Sequence, residues 1–77
     1  MPYTWARMLY VFTRGAHRKT CETRLSADGE AFELVVEEEG VEHIDRFATI
    51  ERLLSREHEL LRAWRAQGWV EPSQGKR

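Results

Sequence analysis

The chain has 77 residues, of which 42% are hydrophobic and 32% charged, and its formal net charge is -1. This length allows one small domain with a modest core, and this composition excludes disordered and collagen-like proteins. The single cysteine, Cys21, excludes an internal disulfide and a cysteine-rich zinc site. No apolar stretch approaches the roughly 18 residues that cross a bilayer and no leader peptide is recognisable, so the sequence predicts a cytoplasmic protein without membrane contact.

The charges are segregated along the chain. Residues 1–20 carry a local charge of +4, residues 21–45 carry -8, and residues 46–77 carry +3. In a compact domain, blocks of opposite sign pair with each other or with a second copy of the chain. The distribution therefore does not require a nucleic-acid partner.

Side-chain alternation predicts two strands in the first third of the chain. Residues 4–14 are rich in aromatic and branched side chains and are followed by Gly15, which is typical of a strand and its turn. In residues 18–26 the odd positions from Cys21 to Leu25 are small or apolar, and the even positions are mostly charged, which predicts a second strand with one solvated face. Residues 27–29 contain the glycine and aspartate of a tight reversal.

Two further strands are predicted before the helix. Residues 30–38 place apolar side chains on one face at every second position, and residues 39–40 turn the chain again. Residues 41–47 are then a fourth strand. Its facing stays open, because Ile44 and Phe47 point to opposite sides of the sheet.

The most strongly marked element is a C-terminal helix. Thr49 is placed to cap it, and apolar residues recur after it at helical spacing. This stripe consists of Ile50, Leu53, Leu54, Leu60, Leu61 and Trp64. Gly68 fits the left-handed residue that ends a helix, and Trp69 is expected to pack back on the last turn. The elements together predict an α+β domain over residues 1–69, an antiparallel β-meander of three to four strands with one C-terminal helix packed on one face, and a flexible tail over residues 70–77.

One carboxylate interrupts the apolar stripe of the helix. On a wheel of about 100° per residue, Glu57 falls in the middle of the stripe. A buried carboxylate must find an arginine, reach solvent or take up a proton. We expect a structural role, in a buried ion pair with Arg14 or Arg46 or with the side chain extended to solvent; ligand binding or acid–base chemistry is the alternative.

The first strand is apolar on both of its faces, whereas a single helix covers only one face of a sheet. The uncharged set, expected beneath the helix, is Ala6, Met8, Tyr10 and Phe12 together with Phe32, Leu34 and Val36. The opposite face mixes apolar anchors with both signs of charge and can be complementary to itself across a two-fold axis. The sequence therefore predicts a homodimer that associates through this face, by Trp5, Arg7, Leu9, Val11, Glu33, Val35 and Glu37. The alternatives are that a terminal segment covers the face or that its apolar side chains are simply exposed.

A second hypothesis is that the sheet binds single-stranded nucleic acid. Several sheet proteins stack bases on aromatic side chains and hold phosphates with basic ones. The candidate contacts are Arg7, Tyr10, Arg14, Arg18 and Lys19. Acidic side chains on the same face, and the lack of an RNP-like pattern of glycine and aromatic residues, weigh against this hypothesis.

No pattern of catalytic residues is recognisable, and the sequence predicts neither enzymatic activity nor a cofactor. A glycine-rich phosphate loop, a paired-cysteine motif, a His-Glu-x-x-His motif and a nucleophile elbow are all absent from the sequence. His17 and Cys21, four residues apart on one predicted strand, are two potential ligands and do not make a metal-binding motif. No metal site is predicted.

A meander of strands followed by a helix, with Phe47 before the helix and Gly68 and Trp69 after it, resembles the WGR domains found beside DNA-repair enzymes. The resemblance covers the chain from Phe47 onward. The Trp-Gly-Arg sequence that names those domains is absent here, so the resemblance implies no DNA-contacting residue.

Overall fold

The computed structural model describes residues 8–71, which form four strands followed by one helix. The elements are β1 (Met8–Arg14), β2 (His17–Leu25), β3 (Phe32–Glu38), β4 (Val41–Phe47) and α1 (Ile50–Ala66). The strands form one antiparallel sheet in the order β1-β2-β3-β4, and α1 packs against it. The predicted α+β meander with one C-terminal helix on one face is therefore confirmed.

Two of the three strand connections are two-residue hairpin turns. Gly15 opens the turn between β1 and β2 with φ 63°, and the turn between β3 and β4 has positive φ at both Glu39 (54°) and Gly40 (83°). Positive φ at both central residues gives a turn whose twist matches that of the flanking strands. Such a turn also fixes the register, and β4 begins and ends at the residues predicted for it.

The backbone of Glu39 is strained in this turn, because a residue with a Cβ atom rarely adopts a φ of 54°. Asparagine tolerates this region better and is common before glycine in such turns. We expect Glu39→Asn to raise the free energy of unfolding by about 0.5–1 kcal/mol. The urea midpoint measures this; a midpoint that falls without a change in slope would contradict it.

The connection between β2 and β3 is longer than predicted. The Asp28 carboxylate accepts a hydrogen bond from the backbone N–H of Glu30 (2.9 Å), and the Ser26 hydroxyl accepts one from that of Ala31 (3.1 Å). Ser26 N–H in turn donates to the carbonyl of Ala31 (2.8 Å). These bonds hold Glu30 and Ala31 in the loop, so β3 begins at Phe32 and not at the predicted residue 30.

Both ends of α1 carry the predicted caps. The Thr49 hydroxyl accepts a hydrogen bond from the N–H of Arg52 (3.3 Å) at the start of the helix. At the end, Gly68 has φ 94° and Trp69 N–H donates back to the carbonyl of Trp64 (3.0 Å). This is the pattern of a Schellman motif, in which a residue past the glycine packs on the last turn.

The core lies between α1 and one face of the sheet. Its buried side chains are Phe12, Cys21, Leu34, Val36, Leu53, Leu61, Trp64 and Trp69. Tyr10, Phe32 and Phe47 pack against it, which confirms the predicted facing of β1 and β3 within the described residues. Phe47 also settles the facing of β4, because its contact with the core places Ile44 on the opposite side. Met8 lies at the margin and is 41% exposed.

The chain after the helix returns to the sheet. Val70 pairs with Thr13 of β1 through two backbone hydrogen bonds, of 2.8 and 3.0 Å. The Arg65 guanidinium donates to the carboxylate of Glu71 (2.9 Å). The flexible tail predicted from residue 70 therefore does not include Val70 and Glu71; residues 72–77 lie outside the described residues.

Candidate functional site

The sheet face opposite α1, here called the outer face, has four rows of side chains across its strands, and the row closest to the hairpin turns is Thr13 and Arg18. The central row is Leu9, Glu22, Val35 and Ile44. The row between these two is Val11, Thr20, Glu37 and Glu42, and the described residues of the row on the other side of the central one are Arg24, Glu33 and Arg46. The outer face thus has an apolar middle that includes one glutamate, an acidic end that the exposed Arg18 borders, and a basic end.

The basic end is an ion-pair cluster around one carboxylate. Glu33 Oε1 lies 2.8 Å from Arg24 Nε, and its Oε2 lies 3.3 Å from an amino group of Arg46. A second amino nitrogen of Arg46 lies 3.8 Å from Asp28. The hydrogen bond to Glu33 raises the pKa of Arg24. Two guanidinium groups share the charge of Glu33, so this row carries a net positive charge.

The acidic end contains two glutamates directly across from each other. Glu37 on β3 pairs in register with Glu42 on β4, and both side chains are exposed. Neither forms a salt bridge with another residue of the described chain. Like charges in directly opposed positions destabilise a strand pair. A positive group brought from outside would relieve that repulsion.

The apolar side chains of the outer face differ in exposure. Leu9 on β1 is 59% exposed and Ile44 on β4 is 45% exposed, whereas Val35 between them is only 4% exposed. Val11 is half-buried. The apolar surface open to a partner therefore lies at the two margins of the central row.

The residues predicted for a dimer interface are brought together in part. Leu9, Val11, Glu33, Val35 and Glu37 all lie on the outer face, while Trp5 and Arg7 lie outside the described residues. Glu33 and Val35 are already buried within one chain.

Sequence reasoning missed Ile44, Glu42 and the two arginines that hold Glu33. The two-residue turn at residues 39–40 was the available signal, because it fixes the register of β4 on β3.

The residues proposed to contact nucleic acid do not share a surface. Tyr10, Arg14 and Lys19 lie on the helix side of the sheet, whereas Arg18 lies on the outer face. Arg7 is outside the described residues. Burial is the main cause that raises the pKa of Tyr10, whose ring packs against the core.

Lys19 and Arg14 form cation–π contacts with two tryptophan rings at the end of α1. The Lys19 ammonium lies 5.0 Å from the Trp64 ring centre and 4.5 Å from that of Trp69. The Arg14 guanidinium lies 5.1 Å from the Trp69 ring and donates a 2.8 Å hydrogen bond to the carbonyl of Gln67. The rings are 2% and 6% exposed, so neither presents a face on which a base could stack.

Glu57 is the most unusual group beneath α1. The residue is 6% exposed, and its Oε2 atom has no hydrogen-bond partner within the described part of the chain. Burial raises the pKa of this carboxyl group, and the neighbouring His58 opposes the shift. The carboxylate also contributes, after burial itself, to the raised pKa values of Tyr10 on β1 and Cys21 on β2.

The predicted ion pair of Glu57 with Arg14 or Arg46 is corrected by the structure. Arg14 is bound to the carbonyl at the end of α1, and Arg46 is bound to Glu33 and Asp28. The register places Arg46 on the outer face, on the far side of the sheet from α1. Glu57 is therefore buried in the middle of the apolar stripe without either arginine.

The two potential metal ligands on β2 are in different environments. His17 is exposed, with Nδ1 3.3 Å from a carboxylate oxygen of Glu39. Cys21 is fully buried, and burial raises the pKa of its thiol to about 12. Over residues 8–71, no three His, Cys, Asp or Glu side chains are grouped so that they could hold a metal ion.

Comparison with family models, with curated proteins and with solved structures finds no significant match to this chain. Among residues 8–71, no helix is both long enough and apolar enough to cross a membrane.

Proposed function

We propose that the protein is a homodimeric protein-interaction module whose two copies associate through the outer faces of their sheets. The observation that carries the proposal is the exposure of Leu9 (59%) and Ile44 (45%) on the face that α1 does not cover. Exposed apolar side chains that share one face with charged residues are typical of protein-binding surfaces.

The charges of the outer face support a second copy as the partner. A two-fold axis parallel to the sheet and running across the strands exchanges the two ends of the face. The exposed Glu37 and Glu42 of one copy then approach Arg24 and Arg46 of the other. Opposite charges facing each other across an interface favour association and fix its orientation.

A single-stranded nucleic acid fits the outer face less well. The acidic end repels phosphates, and the arginines of the basic end already bind Glu33. The aromatic rings nearest to the basic residues of β1 and β2 are buried against α1. No described feature favours this ligand over a second copy of the chain.

The test is to place a charge in the apolar part of the outer face. Leu9→Glu places one carboxylate of each copy in the face-to-face contact, where desolvation and like-charge repulsion oppose association, and we expect it to halve the mass measured by light scattering at micromolar concentration. Leu54→Glu is the matched control, because Leu54 is 43% exposed on α1, away from the outer face. A wild-type mass of one chain, or an unchanged mass for Leu9→Glu, would overturn the proposal.

A further inference from the structure

The free edge of β4 borders the outer face. β4 is the last strand of the sheet, and all of its residues from Val41 to Arg46 are exposed. Within residues 8–71, no segment pairs with its outer edge, whereas Val70 pairs with the corresponding edge of β1. An open edge strand presents unpaired N–H and C=O groups to any strand that can reach it.

The turn geometry shows which backbone groups are open. In a two-residue hairpin the strand residues flanking the turn, here Glu38 and Val41, form a hydrogen-bonded pair, and bonded and non-bonded pairs then alternate. The residues of β4 bonded to β3 are therefore the odd-numbered ones. The N–H and C=O groups of Glu42, Ile44 and Arg46 point away from the sheet.

The sequence of β4 is complementary to itself when read in opposite directions. An antiparallel copy with Ile44 opposite Ile44 brings Glu42 opposite Arg46 and His43 opposite Asp45, and it pairs Val41 with Phe47. Glu42 then faces an arginine, and the His43 imidazole faces a carboxylate to which it can donate a hydrogen bond. Directly opposed pairs of opposite charge, and of branched apolar residues, stabilise strand pairing.

Neighbouring registers lose this match. A shift of the second copy toward the turn sets His43 against His43, and a shift the other way sets Asp45 against Asp45. Larger shifts oppose Glu42 to itself or Arg46 to itself, which is unfavourable because like charges then face each other. Only the register centred on Ile44 pairs all seven residues of the strand.

We propose that β4 pairs antiparallel with β4 of a second copy, about a two-fold axis that passes beside Ile44 and is perpendicular to the sheet. The four-stranded sheets of the two copies then form one continuous sheet of eight strands. The Ile44 side chains, now 45% exposed, pack against each other at the centre of its outer face. The partner is a second copy of this chain, because the complementarity lies within a single strand.

This inference goes beyond the association of outer faces, and the two contacts share the side chains of Glu42, Ile44 and Arg46. Edge pairing leaves both outer faces on one side of the joined sheet, so face-to-face association remains open to the pair. Two perpendicular two-fold contacts would give an assembly of four chains. Arg46 is 55% exposed while it binds Glu33, so part of its guanidinium remains accessible to the Glu42 of another copy.

Cysteine cross-linking tests the register directly, in the Leu9→Glu background so that contact between outer faces does not contribute. Opposed Cα atoms in a hydrogen-bonded antiparallel pair lie about 5.5 Å apart, a separation that a disulfide can span. With copper–phenanthroline as the oxidant, we expect Ile44→Cys to form a linked dimer about tenfold faster than either His43→Cys or Asp45→Cys alone. In the proposed register, residue 43 of one copy lies diagonally from residue 43 of the other, too far for a disulfide, and the same holds for residue 45. The native Cys21 is buried and has a raised thiol pKa, so the parent protein gives the background.

A mixture supplies the second readout. His43→Cys protein mixed with Asp45→Cys protein is expected to form linked heterodimers, although neither links to itself, because these positions face each other only in the proposed register. Equal rates for Ile44→Cys and His43→Cys, or no gain on mixing, would overturn the inference. The effect of Leu9→Glu on the mass tests the outer face separately, so each proposal can fail without the other.

Discussion

Replacing Glu57 with leucine is expected to raise the free energy of unfolding at pH 7 by about 1–3 kcal/mol. The side chain is 6% exposed, and its Oε2 atom has no hydrogen-bond partner within residues 8–71. Leucine has a similar volume and removes the need to desolvate a carboxyl group beneath α1. A domain of this size gains about 4–8 °C in melting temperature per kcal/mol, so thermal unfolding followed by circular dichroism measures the effect.

The gain should depend on pH in a defined direction. Burial raises the folded-state pKa of Glu57 above its ordinary value of 4.5, so the folded protein keeps a proton that the unfolded chain has already lost. Between these two pKa values the wild-type protein loses stability as the pH rises. The difference between Glu57→Leu and wild type is therefore smallest below about pH 4.5 and grows toward neutral pH.

The groups around Glu57 define the controls for this experiment. Tyr10 and Cys21 face it from β1 and β2, and His58 adjoins it on α1. Glu59→Leu is the matched variant, because Glu59 lies on the same helix with a 70% exposed side chain in a salt bridge to Arg56. Its effect should stay within about 0.5 kcal/mol at every pH. A destabilised Glu57→Leu protein, or a difference that does not change with pH, would show that Glu57 is paired.

Trp64→Ala is expected to remove about 3–5 kcal/mol of stability, a large part of the total for a domain this small. The Trp64 ring is 2% exposed, and it meets the Phe12 ring edge-on at 5.3 Å and an angle of 75°. Lys19 lies over the same ring, and Trp69 packs against the core beside it. The truncation therefore leaves a cavity where the helix end joins the sheet.

Urea denaturation of Trp64→Ala measures this loss. Leu54→Ala, on the exposed side of α1, is the control and should cost less than about 1 kcal/mol. A similar cost for both variants would mean that the end of α1 is held by its capping hydrogen bonds more than by the ring.

The helix and the last strand could be predicted because their signals are local. The helix is marked by its N-cap Thr49, by Gly68 after its end and by the spacing of the apolar residues between them. The caps form hydrogen bonds with residues only a few positions away, and these are the predicted contacts. The burial of Glu57 followed from the same helical spacing. Its lack of a partner did not, because Arg14 and Arg46 are drawn to groups that only the folded chain brings near.

The arrangement of side chains on the outer face depends on the register between neighbouring strands, which the sequence indicates less directly than it indicates a helix. Residues Arg24, Glu33 and Arg46 are far apart in the chain and meet only because three strands align them in one row. Ile44 could not be assigned to a face while the alternation in its own strand was ambiguous. Its position follows once Phe47 contacts the core.

The bridge between Thr13 and Val70 limits how molecules can add to one another. Pairing of β4 with the β1 edge of another molecule would repeat head to tail and would build an open filament. Val70 already occupies the outward backbone groups of Thr13, so that edge cannot receive a full-length strand. In the proposed pairing of β4 with β4, contact between like edges closes after two molecules, and the segment after α1 disfavours the head-to-tail addition that would extend a filament.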